Sequence, residues 1–90
     1  MQAQQGHQGL QFLAALNRFQ RLIVLRQHIR ESILAFDEVA DEFETHPDLF
    51  DAQTALHITN VRLNLHNLCQ RVTQVIVTQQ TELEAYVQTW

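Results

Sequence analysis

Apolar residues recur at spacings of three and four along two long stretches of this 90-residue chain, and the single proline, Pro47, separates them. This spacing places the apolar side chains on one face of an α-helix, so the pattern predicts two long helices. Because a short connection leaves such helices side by side, we predict an all-α fold, an antiparallel two-helix hairpin. We expect a flexible N-terminal tail over 1–9 and one hairpin domain over 10–90, with helix one over about 10–45, a turn over about 46–48 and helix two over about 49–88.

Helix one has two apolar stripes. The main stripe follows steps of three and four through Leu22, Leu25, Ile29, Ile33, Phe36, Ala40 and Phe43. The second stripe lies roughly 100° away around the helix axis and comprises Phe12, Leu16, Phe19 and Ile23. Two stripes predict two packing neighbours, whereas a hairpin supplies only one partner helix from the same chain.

Helix two repeats this arrangement. Its main stripe comprises Ile58, Val61, Leu65, Leu68, Val72, Val75, Leu83 and Tyr86. Gln79 interrupts this stripe, and Cys69 and Ile76 widen it. A shorter stripe on the opposite side of its first half comprises Ala52, Leu56 and Leu63. At the C-terminus, the aromatic rings of Tyr86 and Trp90 are expected to pack, because aromatic side chains bury a large area.

The turn contains the expected start of helix two. Thr45 with Asp48 resembles a capping box, and Pro47 suits the first turn of a helix.

The two stripes on each helix predict association. Two long helices alone expose apolar surface that a monomer cannot cover, so we expect a homodimer in the form of a four-helix bundle. The residues expected at the dimer interface are Phe12, Leu16, Phe19, Leu22, Ile23, Leu25 and Ile29.

Composition and charge refine this prediction. With 46% apolar and 18% charged residues, the chain is unlike a disordered segment, and its length allows a single small domain. Residues 1–30 contain four arginines and no acid, whereas residues 31–51 contain eight acids and no arginine. Two copies of helix one that lie antiparallel across a two-fold axis would bring these opposite charges together, and the same charges oppose a parallel alignment.

The arginines also suggest an alternative function. Basic helices neutralise phosphates, so a nucleic-acid-binding regulator could use Arg18, Arg21, Arg26 and Arg30. We do not favour it, because the chain is acidic, with a pI of about 5.6, and because Arg26 and Arg30 continue the second stripe.

Candidate chemistry is sparse. The five histidines lack the Glu-x-x-His pairs that a dinuclear bundle site needs, and Cys69 beside a stripe is typical of a buried apolar side chain. We therefore predict a non-enzymatic chain without catalytic residues, cofactor or metal. It would serve as a protein–protein interaction module, an adaptor, chaperone-like protein or regulator, for an unidentified protein partner. The single cysteine and the lack of a signal sequence or a membrane-length apolar run predict a cytoplasmic protein with no membrane contact.

Overall fold

The computed structural model describes residues 2–88, with side chains described from residue 9 onward. Helix α1, Gln2–Thr45, and helix α2, Ala52–Gln88, pack against each other as an antiparallel hairpin, which confirms the predicted fold class. The hairpin is a rod that measures 69 × 17 × 15 Å. We call the end with the chain termini the open end and the end near Pro47 the connection end. The predicted packing of Trp90 lies outside the described residues.

The starts of both helices differ from the predicted ones. α1 ends at Thr45, as predicted, and α2 is helical to Gln88, the last described residue, but α1 is helical from Gln2, the first described residue, so residues 2–9 are helical where a tail was expected. Glutamine and alanine favour the helix, and each residue added to an existing helix gains one hydrogen bond. A glycine costs only about 1 kcal/mol in a helix interior, so Gly6 and Gly9 do not end the helix.

Asp51 caps α2, which therefore begins three residues later than predicted. Its side-chain Oδ1 accepts a hydrogen bond from the Thr54 amide at 2.6 Å, and its backbone oxygen accepts one from the Ala55 amide at 3.0 Å. Both bonds belong to an N-cap residue. The Thr54 amide, followed by the Thr54 hydroxyl, lowers the pKa of the Asp51 carboxyl by hydrogen bonding to its charged form.

The expected capping box of Thr45 and Asp48 does not form. Instead, the Thr45 hydroxyl donates to the backbone oxygen of Glu42 at 3.2 Å, so that Thr45 belongs to the last turn of α1. Pro47 and Asp48 lie in the connection before the cap rather than in the first turn of α2.

A strict seven-residue repeat forms the contact between the helices, which we call the seam. On α1 the seam residues are Phe12, Ala15, Phe19, Leu22, Arg26, Ile29, Ile33, Phe36, Ala40 and Phe43. On α2 they are Ala55, Ile58, Arg62, Leu65, Cys69, Val72, Ile76, Gln79, Leu83 and Tyr86. All of them are buried or half-buried, and their alternating steps of three and four are the repeat of a two-stranded coiled coil.

Two contacts between the helices fix the register of the seam. At the open end, the rings of Phe12 and Tyr86 meet edge to face at 6.2 Å between centroids. Toward the connection end, Arg62 Nε donates to Asp37 Oδ1 at 2.6 Å. The residue numbers of two facing residues therefore add to about 98: to 98 for Phe12 with Tyr86 and to 99 for Asp37 with Arg62. Between these contacts lies the core, formed by Ile29, Ile33, Val72 and Ile76.

The seam differs in part from the predicted main stripes. On α1, Leu25 lies beside the seam and is 45% exposed. On α2, Leu68 and Val75 lie beside it and are 44% and 45% exposed, while Gln79, expected as an interruption, is a seam residue. The physical reason is that some seam positions carry polar residues. A stripe drawn through apolar residues alone therefore includes apolar residues next to the seam in place of the polar seam residues themselves.

Candidate interaction surface

The hairpin exposes more surface than a compact protein of its size. Its accessible surface is 7110 Å², whereas a compact monomer of 10.5 kDa exposes about 5,400 Å². Its radius of gyration is 20.1 Å, against about 12 Å for a compact chain of this length. Two helices form one layer of contact, so each helix keeps most of its circumference in solvent.

Much of the exposed surface is apolar. Among the described side chains, twelve large apolar residues are 44–68% exposed: Leu10, Leu13, Val24, Leu25, Leu34, Leu49, Leu56, Leu63, Leu68, Val75, Val77 and Val87. Exposed apolar surface that forms large patches is typical of interaction sites. The seam divides most of these residues between two sides of the hairpin.

One side carries a mainly apolar column, which Ser32 interrupts on α1 and which we call the valine–leucine face: Leu25, Val39, Val61, Leu68 and Val75. Each of these residues directly precedes a seam residue, and in an antiparallel pair such positions on both helices lie on the same side. Val39 and Val61 are half-buried, and the other three are 44–45% exposed.

A groove confirms that this face crosses from one helix to the other. Leu25 of α1 and Val75 of α2 line it together, and its volume is about 370 Å³. Arg18 and Arg21 line its open-end side. Gln79 also lines it, and the Oε1 atom of Gln79 is buried without a hydrogen-bond partner.

Charged residues flank the valine–leucine face. Arg18 and Arg21 lie toward the open end, together with Glu82, which also directly precedes a seam residue. Glu42 follows Val39 by three residues and lies on the same side toward the connection end. The face thus has a basic flank, with one acid, at one end and an acidic flank at the other.

The opposite side of the hairpin is more polar beside the seam. There, the central residues that follow alternate seam positions are polar or charged, namely Arg30, Asp37, Thr59, His66, Thr73 and Gln80, whereas those that follow the intervening seam positions include the exposed apolar residues Leu34, Leu63 and Val77. At the open end of this side, a groove of about 590 Å³ is lined mainly by Phe12, Leu16, Phe19, Leu83 and Val87. We call this the open-end groove.

Most of the residues predicted at the dimer interface contact α2 of the same chain. Phe12, Phe19, Leu22 and Ile29 are seam residues, and Ile29 is only 5% exposed. Leu16 and Ile23 are half-buried at the edge of the seam, and Ile23 packs against the core. Leu25 is the exposed member of the set and belongs to the valine–leucine face.

The other residues of this face are not among those predicted at the dimer interface. Val39 was in neither stripe, and Val61, Leu68 and Val75 were assigned to the stripe of helix two. All of them can be identified from the sequence by one shared feature: each directly precedes a position of the seven-residue repeat that forms the seam.

The four candidate nucleic-acid contacts do not form one surface. Arg18 and Arg21 are exposed and share a groove, but Arg26 is half-buried in the seam. Arg30 lies nine residues after Arg21, which places the two on opposite sides of α1.

No other chemical site emerges from residues 9–88. In that range no three histidine, cysteine, aspartate or glutamate side chains come together as metal ligands, and Cys69 is half-buried in the seam. Neither described helix has the length and apolar character needed to cross a membrane. Comparisons with protein-family models, curated proteins and solved structures returned no match.

Proposed function

We propose that this chain is a non-enzymatic protein–protein interaction module, an adaptor, chaperone-like protein or regulator, that works in the cytoplasm as a helical homodimer with four helices. The observation that supports it is the accessible surface of 7110 Å², which exceeds the expectation for a compact monomer by about 1,700 Å². Burial of that excess in each copy gives a total within the range of obligate homodimer interfaces, roughly 2,000–5,000 Å².

The distribution of the exposed apolar residues supports assembly through helix faces. They lie along the rod on both sides of the seam, rather than around one concave site that could enclose a small substrate. Proteins that bind through helix faces use such rows of residues at spacings of three and four. The cytoplasmic location is supported only by cysteine usage, since the single cysteine has no partner for an intrachain disulfide.

The mass of the purified chain in solution tests the homodimer. We expect light scattering and sedimentation equilibrium to give twice the chain mass of 10.5 kDa, with the monomer appearing only on dilution. Far-ultraviolet circular dichroism should show a highly helical protein under the same conditions. A helical monomer that persists at about 500 μM, where an interface of even millimolar Kd would begin to populate dimers, contradicts the proposal.

No structural observation favours nucleic-acid binding, because the four arginines are divided between the seam and two opposite sides of α1.

A further inference from the structure

We propose that the valine–leucine face is the surface on which a second copy of this chain docks, with the two rods antiparallel and a two-fold axis at Leu68. This inference rests on the proposed homodimer and specifies which side of the hairpin forms its interface. It replaces most of the interface set expected from the sequence, because those residues already contact α2 within the chain.

The spacing of the face makes it complementary to itself. Leu68 lies midway along α2 between Val61 and Val75, seven residues from each, which corresponds to about 10 Å along the helix axis. A two-fold axis that crosses the rods at Leu68 places the α2 helices of the two copies against each other in opposite directions. Leu68 then meets Leu68 of the second copy, and Val75 meets Val61 of the second copy.

The same axis produces an equivalent match on α1. Leu25 lies seven residues before Ser32, and Val39 lies seven residues after it. Because Leu25 faces Val75 across the hairpin, Ser32 faces Leu68 in the same register. Leu25 of one copy therefore meets Val39 of the other. The groove of about 370 Å³ beside Leu25 and Val75 lies where it receives the valine side chains of the second copy.

Charge selects the antiparallel direction. Residues 1–30 and 68–90, which form the open-end half, contain five arginines and two glutamates, a net charge of +3. Residues 31–67, which form the connection half, contain one arginine and eight acids, a net charge of −7. Antiparallel rods bring unlike halves together, and Arg21 then lies near Glu42 of the second copy. A parallel pair brings like halves together, which is unfavourable.

The available area suits a stable dimer. Centring two rods of 69 Å length on Leu68 leaves them overlapping over roughly 50 Å, because the open ends extend beyond the overlap. A strip of that length and about 16 Å width covers on the order of 800 Å² of each copy, which is the standard interface size and about half of the excess surface of about 1,700 Å². On the opposite side, Arg30 and His66 occupy the middle of the column beside the seam, and the exposed Leu34 and Leu63 lie farther from the seam.

Substitution on the proposed axis provides the first test. Leu68→Arg places two guanidinium groups against each other, so we expect the dimer Kd to increase at least roughly tenfold by sedimentation equilibrium. Leu63→Arg is the matched control, because Leu63 is a 60% exposed leucine of α2 outside the face, and it should leave the Kd within about twofold. Circular dichroism should show that both variants remain helical.

Disulfide trapping provides the second test and reports the direction of the rods. In a Cys69→Ala background, Leu68→Cys should form an interchain disulfide on mild oxidation, and Leu63→Cys should not. The double variant Val61→Cys/Val75→Cys should also form linked dimers, and neither single variant should. Within one chain these two positions are about 21 Å apart, beyond the reach of a disulfide.

The outcomes separate this inference from the proposed function. A wild-type chain that stays monomeric contradicts the homodimer itself. A wild-type dimer that tolerates Leu68→Arg and leaves Leu68→Cys unlinked overturns only the assignment of the face, as does a dimer that Leu63→Arg dissociates instead.

Discussion

Replacement of Ile76 by alanine should cost the hairpin a large part of its stability. Ile76 is 4% exposed, and it belongs to the core together with Ile29, Ile33 and Val72. The substitution removes three buried carbons, each worth about 0.8 kcal/mol, so the transfer term is about 2.5 kcal/mol. Isoleucine-to-alanine changes cost about 2–5 kcal/mol in general, and we expect the lower half because half-buried seam neighbours can relax into the space. The melting temperature should therefore fall by roughly 10–20 °C in a domain of this size.

Val77→Ala is the matched control on the adjacent residue. Val77 is 58% exposed, and alanine favours the helix more than valine does, so we expect its effect to stay within about 0.5 kcal/mol. Urea unfolding followed by circular dichroism measures both variants, at one fixed protein concentration because a dimer's stability depends on concentration. Equal losses for the two variants, or a loss below about 1 kcal/mol for Ile76→Ala, would refute the register of the seam.

Four further changes test separate features. Gln79→Leu should raise the urea midpoint, because it removes a buried Oε1 without a partner, an arrangement that costs about 1–3 kcal/mol. Asp37→Asn should cost at most about 1 kcal/mol and less in high salt, since Asp37 and Arg62 are 38% and 41% exposed. The cap at Asp51, whose pKa is lowered from 3.8, should contribute fully above pH 3.8 and be lost as the pH falls through the lowered value. In thermal melts, Asp51→Asn should remove that part of the acid dependence, since asparagine caps without ionising. Finally, added salt should raise the dimer Kd in sedimentation equilibrium, since screening weakens the attraction between unlike halves; a Kd that only falls with salt would contradict it.

The fold class could be predicted from the sequence, because the apolar spacing and one proline indicate two helices and a reversal of chain direction between them. The exact start of α2 could not be predicted. Thr45 and Asp48 are capping residues by type, but so is Asp51, and several candidate caps within one turn compete for the same amides. The folded chain satisfies the amides of Thr54 and Ala55 through Asp51.

The candidate interaction surface was harder to predict from the sequence than the fold was. Arg26, Arg62 and Gln79 occupy seam positions, and residues of this type are assigned to solvent when only apolar character is considered. Long side chains can cover apolar surface with their methylene groups while their polar ends reach the edge, as Arg62 does in bonding to Asp37. Following the strict seven-residue repeat, rather than apolar character at each position, separates the seam from the valine–leucine face.

Hairpin formation by itself offsets little of the charge separation along the chain. It places the last part of α2, with Arg71, Glu82 and Glu84, beside the basic first part of α1, and it places Arg62 beside the acidic part of α1. Across the described residues, the ion pair between an arginine and an acid is Asp37 with Arg62. The resulting rod has a net charge of −7 in one half and +3 in the other, and a second copy in the opposite direction offsets this separation. The apolar spacing about Leu68 and the charge separation along the rod are independent features of the sequence, and the proposed antiparallel two-fold arrangement is compatible with both.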